Sequence, residues 1–264
     1  MAAPGKGRHI FMVTAVITGA SSGLGKEYIN AIMEQYPSVD AFWLVARNKE
    51  ALWKVAEEHT DKTIATISLD LSKEESLDVM EQLLKENNPE IKVLVNNAGF
   101  GKCTDFFSSV RAEQTGMVDL NCRALTGLLR LCLPYMLDDS LVLNVSSIAA
   151  FAPTPRMSVY SATKAYVLAL SKALHDELRP RGIKVAAVCP GPMDTDFWHV
   201  ANVPEGKSRL IDSLPRVSPK EVAAGSLRAA KRGKIVYTKG FWYKLYRLAA
   251  KLLPHGFIME FTEV

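Results

Sequence analysis

Tyr160 and Lys164 stand one helical turn apart in a segment, Ser158 to Leu178, whose small and apolar residues read as a helix, so both side chains project from one face. A phenol with an ordinary pKa near ~10 is a poor proton-transfer group at neutral pH, and an ammonium one turn away favours its phenolate by opposite charge. The pair therefore suits proton delivery to an oxygen that gains negative charge, as when a carbonyl accepts hydride from a nicotinamide. Taken singly, each would be an ordinary helix-surface residue.

A second constellation precedes it. The stretch ITGASSGLG, residues 17–25, follows an apolar run directly and opens a helical one. Gly19, Gly23 and Gly25 allow a tight turn and close backbone approach, and with Ser21, Ser22 and Leu24 they place free N–H groups at a helix N-terminus, where a pyrophosphate binds. A glycine-rich turn without a ligand is the alternative, and the position after a first strand argues against it. At the end of the second apolar run, LVARN carries Arg47 and no acid. A guanidinium there forks onto a 2′-phosphate, whereas an acid would hold ribose hydroxyls, so NADP(H) is expected over NAD(H). The alternative is an Arg47 that merely lies along the surface.

The glycine spacing is T-G-x-x-x-G-x-G. It occurs with NNAG at 96–99, Asn121, NVSS at 144–147, YSATK at 160–164 and PG at 190–191. In that order, from about residue 11 to residue 200, the chain resembles the classical short-chain dehydrogenase/reductase family. The resemblance implies a Rossmann-like fold and an oxidoreductase acting between a ketone and a secondary alcohol. It implies Tyr160 as acid and base, Lys164 also on the nicotinamide ribose, Ser147 orienting the substrate oxygen, and Asn121 holding a water that links Lys164 to solvent. Ser147 is preferred to Ser146 because its separation from Tyr160 matches the family pattern. Asp70 with Leu71 would meet the adenine, Asn97, Ala98 and Gly99 would line the cofactor, and Pro190, Gly191 and Thr195 would face the nicotinamide. A nucleotide-sensing protein without turnover on the same scaffold is the alternative in another class.

These groups need a scaffold that brings them together. Apolar runs at 12–17, 41–46, 63–69, 91–96, 141–146, 183–189 and 234–237 alternate with helix-like segments at 25–35, 73–86, 112–135, 158–178 and 219–231. Asn48, Ser72 with Glu75, and Ser218 with Glu221 and Pro219 are candidate helix starts. The pattern predicts one α/β domain over 1–264, a doubly wound parallel sheet of about seven strands with helices on both faces. A Pro- and Gly-rich stretch at about 192–215 is expected to cover the substrate, with Phe197 and Trp198 as apolar contacts and His199 on its surface. Residues 240–254 predict a basic amphipathic helix: Phe241, Leu245, Leu248, Ala249, Leu252 and Leu253 form its apolar stripe, and Lys244, Arg247 and Lys251 lie elsewhere. Such a helix packs on its own domain or another subunit, or lies on a membrane surface.

The 264 residues are 48% hydrophobic, enough for a large core, and a net charge of +4 is too small to suggest nucleic acid. Cys103, Cys122, Cys132 and Cys189 form no CxxC pair and stand near no histidine at ligand spacing, so buried reduced thiols and no metal site are expected. The basic N-terminal stretch imitates a secretory signal, but the apolar run after it is short and leads into the glycine loop. No apolar run approaches the roughly 20 residues of a spanning helix. A cytoplasmic protein is expected, with peripheral membrane contact through 240–254 left open. The expected substrate is an apolar ketone or alcohol of hydroxysteroid, bile-acid or 3-oxoacyl type. Pairing into a homodimer or homotetramer is expected through the helices containing Asn121 and Tyr160, where Ala162, Ala169 and Ala173 permit close approach.

Overall fold

AFWLVA at 41–46 is buried at every position, as a strand covered on both faces must be. The computed structural model describes residues 12–203 and 215–262. In chain order it contains β1 (Val13–Thr18), α1 (Gly23–Gln35), β2 (Ala41–Ala46), α2 (Lys49–Glu57), β3 (Thr63–Ser68), α3 (Glu75–Asn87), β4 (Glu90–Asn96), α4 (Arg111–Val118), α5 (Leu125–Cys132), β5 (Met136–Val145), α6 (Ser158–Leu178), β6 (Lys184–Val188), α7 (Phe197–Ala201), α8 (Pro219–Lys231), β7 (Val236–Tyr237), α9 (Phe241–Leu252) and α10 (His255–Thr262). The strands form one seven-stranded sheet, order β3-β2-β1-β4-β5-β6-β7, and every pairing is parallel. Strand order reverses between β1 and β4, the point where a doubly wound sheet opens a crevice at its carboxyl edge.

Alternate strand residues feed two apolar layers. Ile17, Phe42, Leu44, Val95 and Leu143 pack with α1, α2 and α8, whereas Val16, Val45, Leu94 and Val142 pack with α3, α5 and the end of α6. Phe42 and Leu44 are fully buried, each contributing about 1.5–3 kcal/mol of transfer free energy. The sheet is thereby fixed from both sides, and so are the loops at its carboxyl edge.

Several details differ from expectation. The helical run at 112–135 is not uniform, because residues Asp119–Ala124 form a π-helical turn between α4 and α5. Asn48 caps α2 through Ala51 N–H at 2.9 Å, but Ser72 caps nothing: α3 starts at Glu75, and the Ser72 hydroxyl donates to Asp70 Oδ1 at 2.7 Å. Ser218 occupies the N-cap of α8 without a side-chain bond. β5 starts at Met136, since the polar LDDS can extend the strand at an exposed end. Helix α9 forms within the expected range, but its apolar stripe points outward. Phe241, Leu245, Leu248 and Leu252 are exposed, and the packed residues are Tyr243 and Ala250. The basic N-terminal stretch, and much of the expected cover at 192–215, lie outside the described residues.

Candidate active site

The glycine loop is fastened from beneath. Thr18 Oγ1 accepts from Asn97 N–H at 3.0 Å and Ala98 N–H at 2.9 Å, and the Asn97 amide donates to the carbonyls of Thr18 and Gly19 at 3.0 and 3.2 Å. NNAG therefore holds the loop as much as it lines a ligand site. Gly19 has φ +64, and a Cβ at Gly25 would overlap the Gly19 carbonyl, so helix α1 packs on its own loop only with glycine there. These features make a backbone cradle of the kind a pyrophosphate requires.

At the end of β2, Arg47 is exposed at the rim of the same cleft as Asp70 and Leu71. Desolvation acts to raise the Asp70 pKa, but hydrogen bonds from the Ser72 side chain and backbone, with the nearby charges of Arg47 and Lys73, outweigh it and leave the carboxyl below its ordinary value. Asp70 is thus held ionised and fixed in orientation.

Past β5 the two serines divide. The Ser146 hydroxyl donates to the Lys164 carbonyl at 2.7 Å, buried. Ser147 is half-buried in the cleft, and its hydroxyl accepts from Ala149 N–H at 3.2 Å. On α6, Tyr160 and Lys164 are both buried, with Lys164 Nζ 5.7 Å from the Tyr160 ring centroid. Lys164 Nζ donates to the Val145 carbonyl at 2.9 Å. Behind it, Asn121 lies in the π turn. Its amide oxygen accepts from Phe100 N–H at 3.1 Å, and its NH2 donates to Phe100 O at 2.9 Å and Thr163 Oγ1 at 3.0 Å.

The expected lowering of the Tyr160 pKa is not found. Burial dominates and pushes the phenol up to about 12, against a smaller lowering by the Ser147 hydroxyl. Burial likewise pushes Lys164 down to about 8. Both shifts follow from removing water around each group, and the neutral phenol is the form present at neutral pH.

One cleft of about 410 Å³ gathers all of the residues assigned above to cofactor or substrate except Gly25; Asn121 also stands behind its wall. Phe197 of α7 covers it, ring centroid 5.4 Å from Tyr160, and Trp198 stacks edge-on at 5.8 Å and anchors through Nε1 to the Met193 carbonyl at 2.7 Å. His199 is exposed. Phe100, Thr154, Met157, Tyr246 and Thr262 also line the cleft and escaped the sequence reading. Met157 carried a usable signal, being an apolar residue one turn before Tyr160; Tyr246 was hidden because it lies off the apolar stripe of its helix. Among the described residues no group of histidine, cysteine or acids could hold a metal. The cysteines are unpaired thiols, three of them buried and Cys122 partly so.

A family model for the short chain dehydrogenases matches residues 13–205, and the chain belongs to that family of oxidoreductases. An uncharacterized oxidoreductase of Staphylococcus epidermidis is 33% identical over 198 residues, 73% of this chain and 83% of that one. A short-chain dehydrogenase from Sphingobium yanoikuyae in complex with NADPH superposes with a TM-score of 0.77 at 29% identity, covering 94% of this chain and 95% of its own. A 3-ketoacyl-(acyl-carrier-protein) reductase from Brucella melitensis complexed with NADH gives a TM-score of 0.72 at 26% identity, covering 87% and 97%.

Proposed function

We propose that this chain is an NADP(H)-dependent oxidoreductase interconverting a ketone and a secondary alcohol on an apolar substrate, of hydroxysteroid, bile-acid or 3-oxoacyl type. The observation that carries the reading is the convergence of Ser147, Tyr160 and Lys164 in one cleft with a glycine loop and an exposed Arg47 at its rim. The loop N–H groups at the start of α1 would hold the pyrophosphate, Asp70 and Leu71 the adenine side, and Arg47 a 2′-phosphate. Thr195, Pro190 and Gly191 would face the nicotinamide. The Sphingobium relative, with NADPH, supports a dinucleotide in this cleft; the Brucella reductase shows a relative holding NADH, so the choice between them rests on Arg47. The apolar walls, Phe100, Met157, Phe197 and Tyr246, support an apolar substrate.

The bound nicotinamide supplies the hydride in reduction and takes it in oxidation. The chain's own part is the proton. Ser147 donates a hydrogen bond to the substrate oxygen and fixes it beside Tyr160. Tyr160, protonated at neutral pH, gives its proton to that oxygen as negative charge develops there. The phenolate left behind is stabilised by the Lys164 ammonium, which is already tethered to the Val145 carbonyl and holds its other N–H donors free for tyrosine and ribose. Asn121 positions the adjoining Phe100 segment and would hold a water that links Lys164 to solvent. The domain works as one unit, with the segment after β6 as its cover. The exposed Ala162, Ala169 and Ala173 on α6 support pairing of chains through that helix.

The test is a panel of steroids, bile acids and acyl thioesters assayed with NADPH and with NADH. Ketone reduction with NADPH is expected, and Tyr160→Phe should abolish it while NADPH still binds, by fluorescence titration. A fully active Tyr160→Phe would sink the mechanism, and a wild type that binds NADPH but turns over no ketone would leave a nucleotide sensor.

A further inference from the structure

Helix α9 is built inside out relative to an ordinary surface helix. Its inward face is Tyr243, Tyr246 and Ala250, and the opposite face carries Phe241, Leu245, Leu248 and Leu252 at one-turn spacing, all at least 45% exposed. Trp242 and Leu253 extend the patch, at 56% and 43% exposure. A contiguous apolar surface of this kind marks a contact made with something else.

Charge says what. Of the chain's 32 lysines and arginines, eight fall within residues 222–259, and none of its 28 acids does, which leaves the remainder of the chain net acidic. On α9, Lys244 and Lys251 flank the apolar stripe on one side and are exposed; among the described residues neither forms an ion pair with a carboxylate. Lys172 on α6 adds to the same cluster: burial first, then the charges of Arg247 and Lys251, depress its pKa. Opposing acids are therefore missing from residues 222–259 themselves. A second copy docked through a two-fold axis on this face would set lysine against lysine. An anionic lipid headgroup layer satisfies both features at once, apolar side chains at the acyl boundary and lysines among the phosphates. No described helix is long and apolar enough to cross a membrane, so α9 would lie along one.

We propose that the outward face of α9, an apolar stripe flanked by Lys244 and Lys251, docks on the surface of an anionic lipid bilayer. Because Tyr246 on the same helix and Thr262 on α10 line the cleft, docking sets the cleft beside the bilayer. Delivery of an apolar ketone from the membrane rests on the reading of function given above; the docking does not.

The experiment is sedimentation of the full chain with vesicles of phosphatidylcholine alone and of phosphatidylcholine mixed with phosphatidylglycerol, at low and high salt. Pelleting with the mixed vesicles, weaker with phosphatidylcholine and weakened by salt, is expected. Leu248→Glu with Leu252→Glu should stay in the supernatant. Lys244→Gln and Lys251→Gln should each lower partitioning about 5-fold. Near-UV circular dichroism of each variant confirms that the fold is retained, and ketone reduction in solution should survive the leucine changes. Wild type that stays in the supernatant with mixed vesicles at low salt overturns the proposal, as does equal pelleting of the leucine variant. So does a wild-type oligomer that fails to pellet and that the leucine changes convert to monomers, since a second copy then covers the face. A wild type that pellets but reduces no ketone supports docking and refutes the functional reading alone.

Discussion

Lys164 is the most expensive residue in the site to fold around, and its cost has a pH signature. Its pKa in the folded chain is about 8 against an ordinary 10.5, so between those values the unfolded chain binds the extra proton. Stability therefore rises with pH across that window and is lost as pH falls through about 8. The shift corresponds to about 3 kcal/mol. Tyr160, raised from 10.0 to about 12, acts in the opposite direction above pH 10, and the buried thiols, Cys132 raised to about 12 and Cys189 to about 11, do so from about pH 9, so the lysine is read as the difference from a variant that lacks it. Over that window the urea midpoint of the wild type should climb toward that of Lys164→Met, closing a gap of about 2–3 kcal/mol; parallel curves would show that burial of the ammonium is not the cause. Arg47 makes a separate case, since it is exposed and its worth lies in what it binds. Arg47→Ala should lower the kcat/KM preference for NADPH over NADH about 10- to 100-fold, the value of a charge-assisted bond to phosphate, with no change in thermal midpoint.

At the scale of elements, the π turn at Asp119–Ala124 is what lets a helix present Asn121 to a loop. A regular helix would carry that amide past Phe100; the extra residue in the turn swings it inward, where it is buried with Phe100 on one side and Thr163 on the other. Asn121→Ala leaves those buried partners unsatisfied and should cost about 2–3 kcal/mol in urea unfolding. It should also lower kcat more than it raises KM, because the Phe100 segment next to Lys164 loosens; an unchanged kcat would make Asn121 purely structural. No propensity at DLNCRA announces a π turn, so this element was illegible in the sequence, although Asn121 itself stood out through its motif. The strands were legible because a buried parallel strand such as AFWLVA is apolar throughout. The glycine loop and YSATK were legible because few residues can do what they do. Legibility failed where tertiary context decides: Ser72 went to Asp70 rather than to a helix end, burial set the direction of the Tyr160 pKa, and the stripe on α9 was readable in periodicity but not in direction. Amphipathic spacing says that a helix has an apolar face and not whether that face meets the core.

Over the whole molecule, α9 ties the carboxyl end of the chain to the chemistry at its centre. Tyr243 is 1% exposed, its ring packs against Gly191 in the loop after β6, and its hydroxyl donates to the Pro215 carbonyl at 2.7 Å. Phe151, just beyond the cleft serine, meets Tyr246 with ring centroids 6.1 Å apart, and Thr262 donates to the Pro153 carbonyl at 3.4 Å. The helix pair α9 and α10 is thus a wall of the site as well as a surface, and removing residues 240–264 would open the cleft along with deleting the exposed stripe. Point changes separate the two roles. Tyr243→Phe keeps the ring on Gly191 and loses one hydrogen bond, so it should cost about 1 kcal/mol and leave turnover near wild type. Tyr243→Ala removes the ring that supports the loop after β6, and should cost about 3–5 kcal/mol in urea unfolding. It should also weaken NADPH binding in fluorescence titrations, because Gly191 and Thr195 lose the backing that fixes their positions. If Tyr243→Ala lost that stability yet bound NADPH as tightly as wild type, the loop would be held by β6 and β7 alone, and α9 would serve the surface rather than the site.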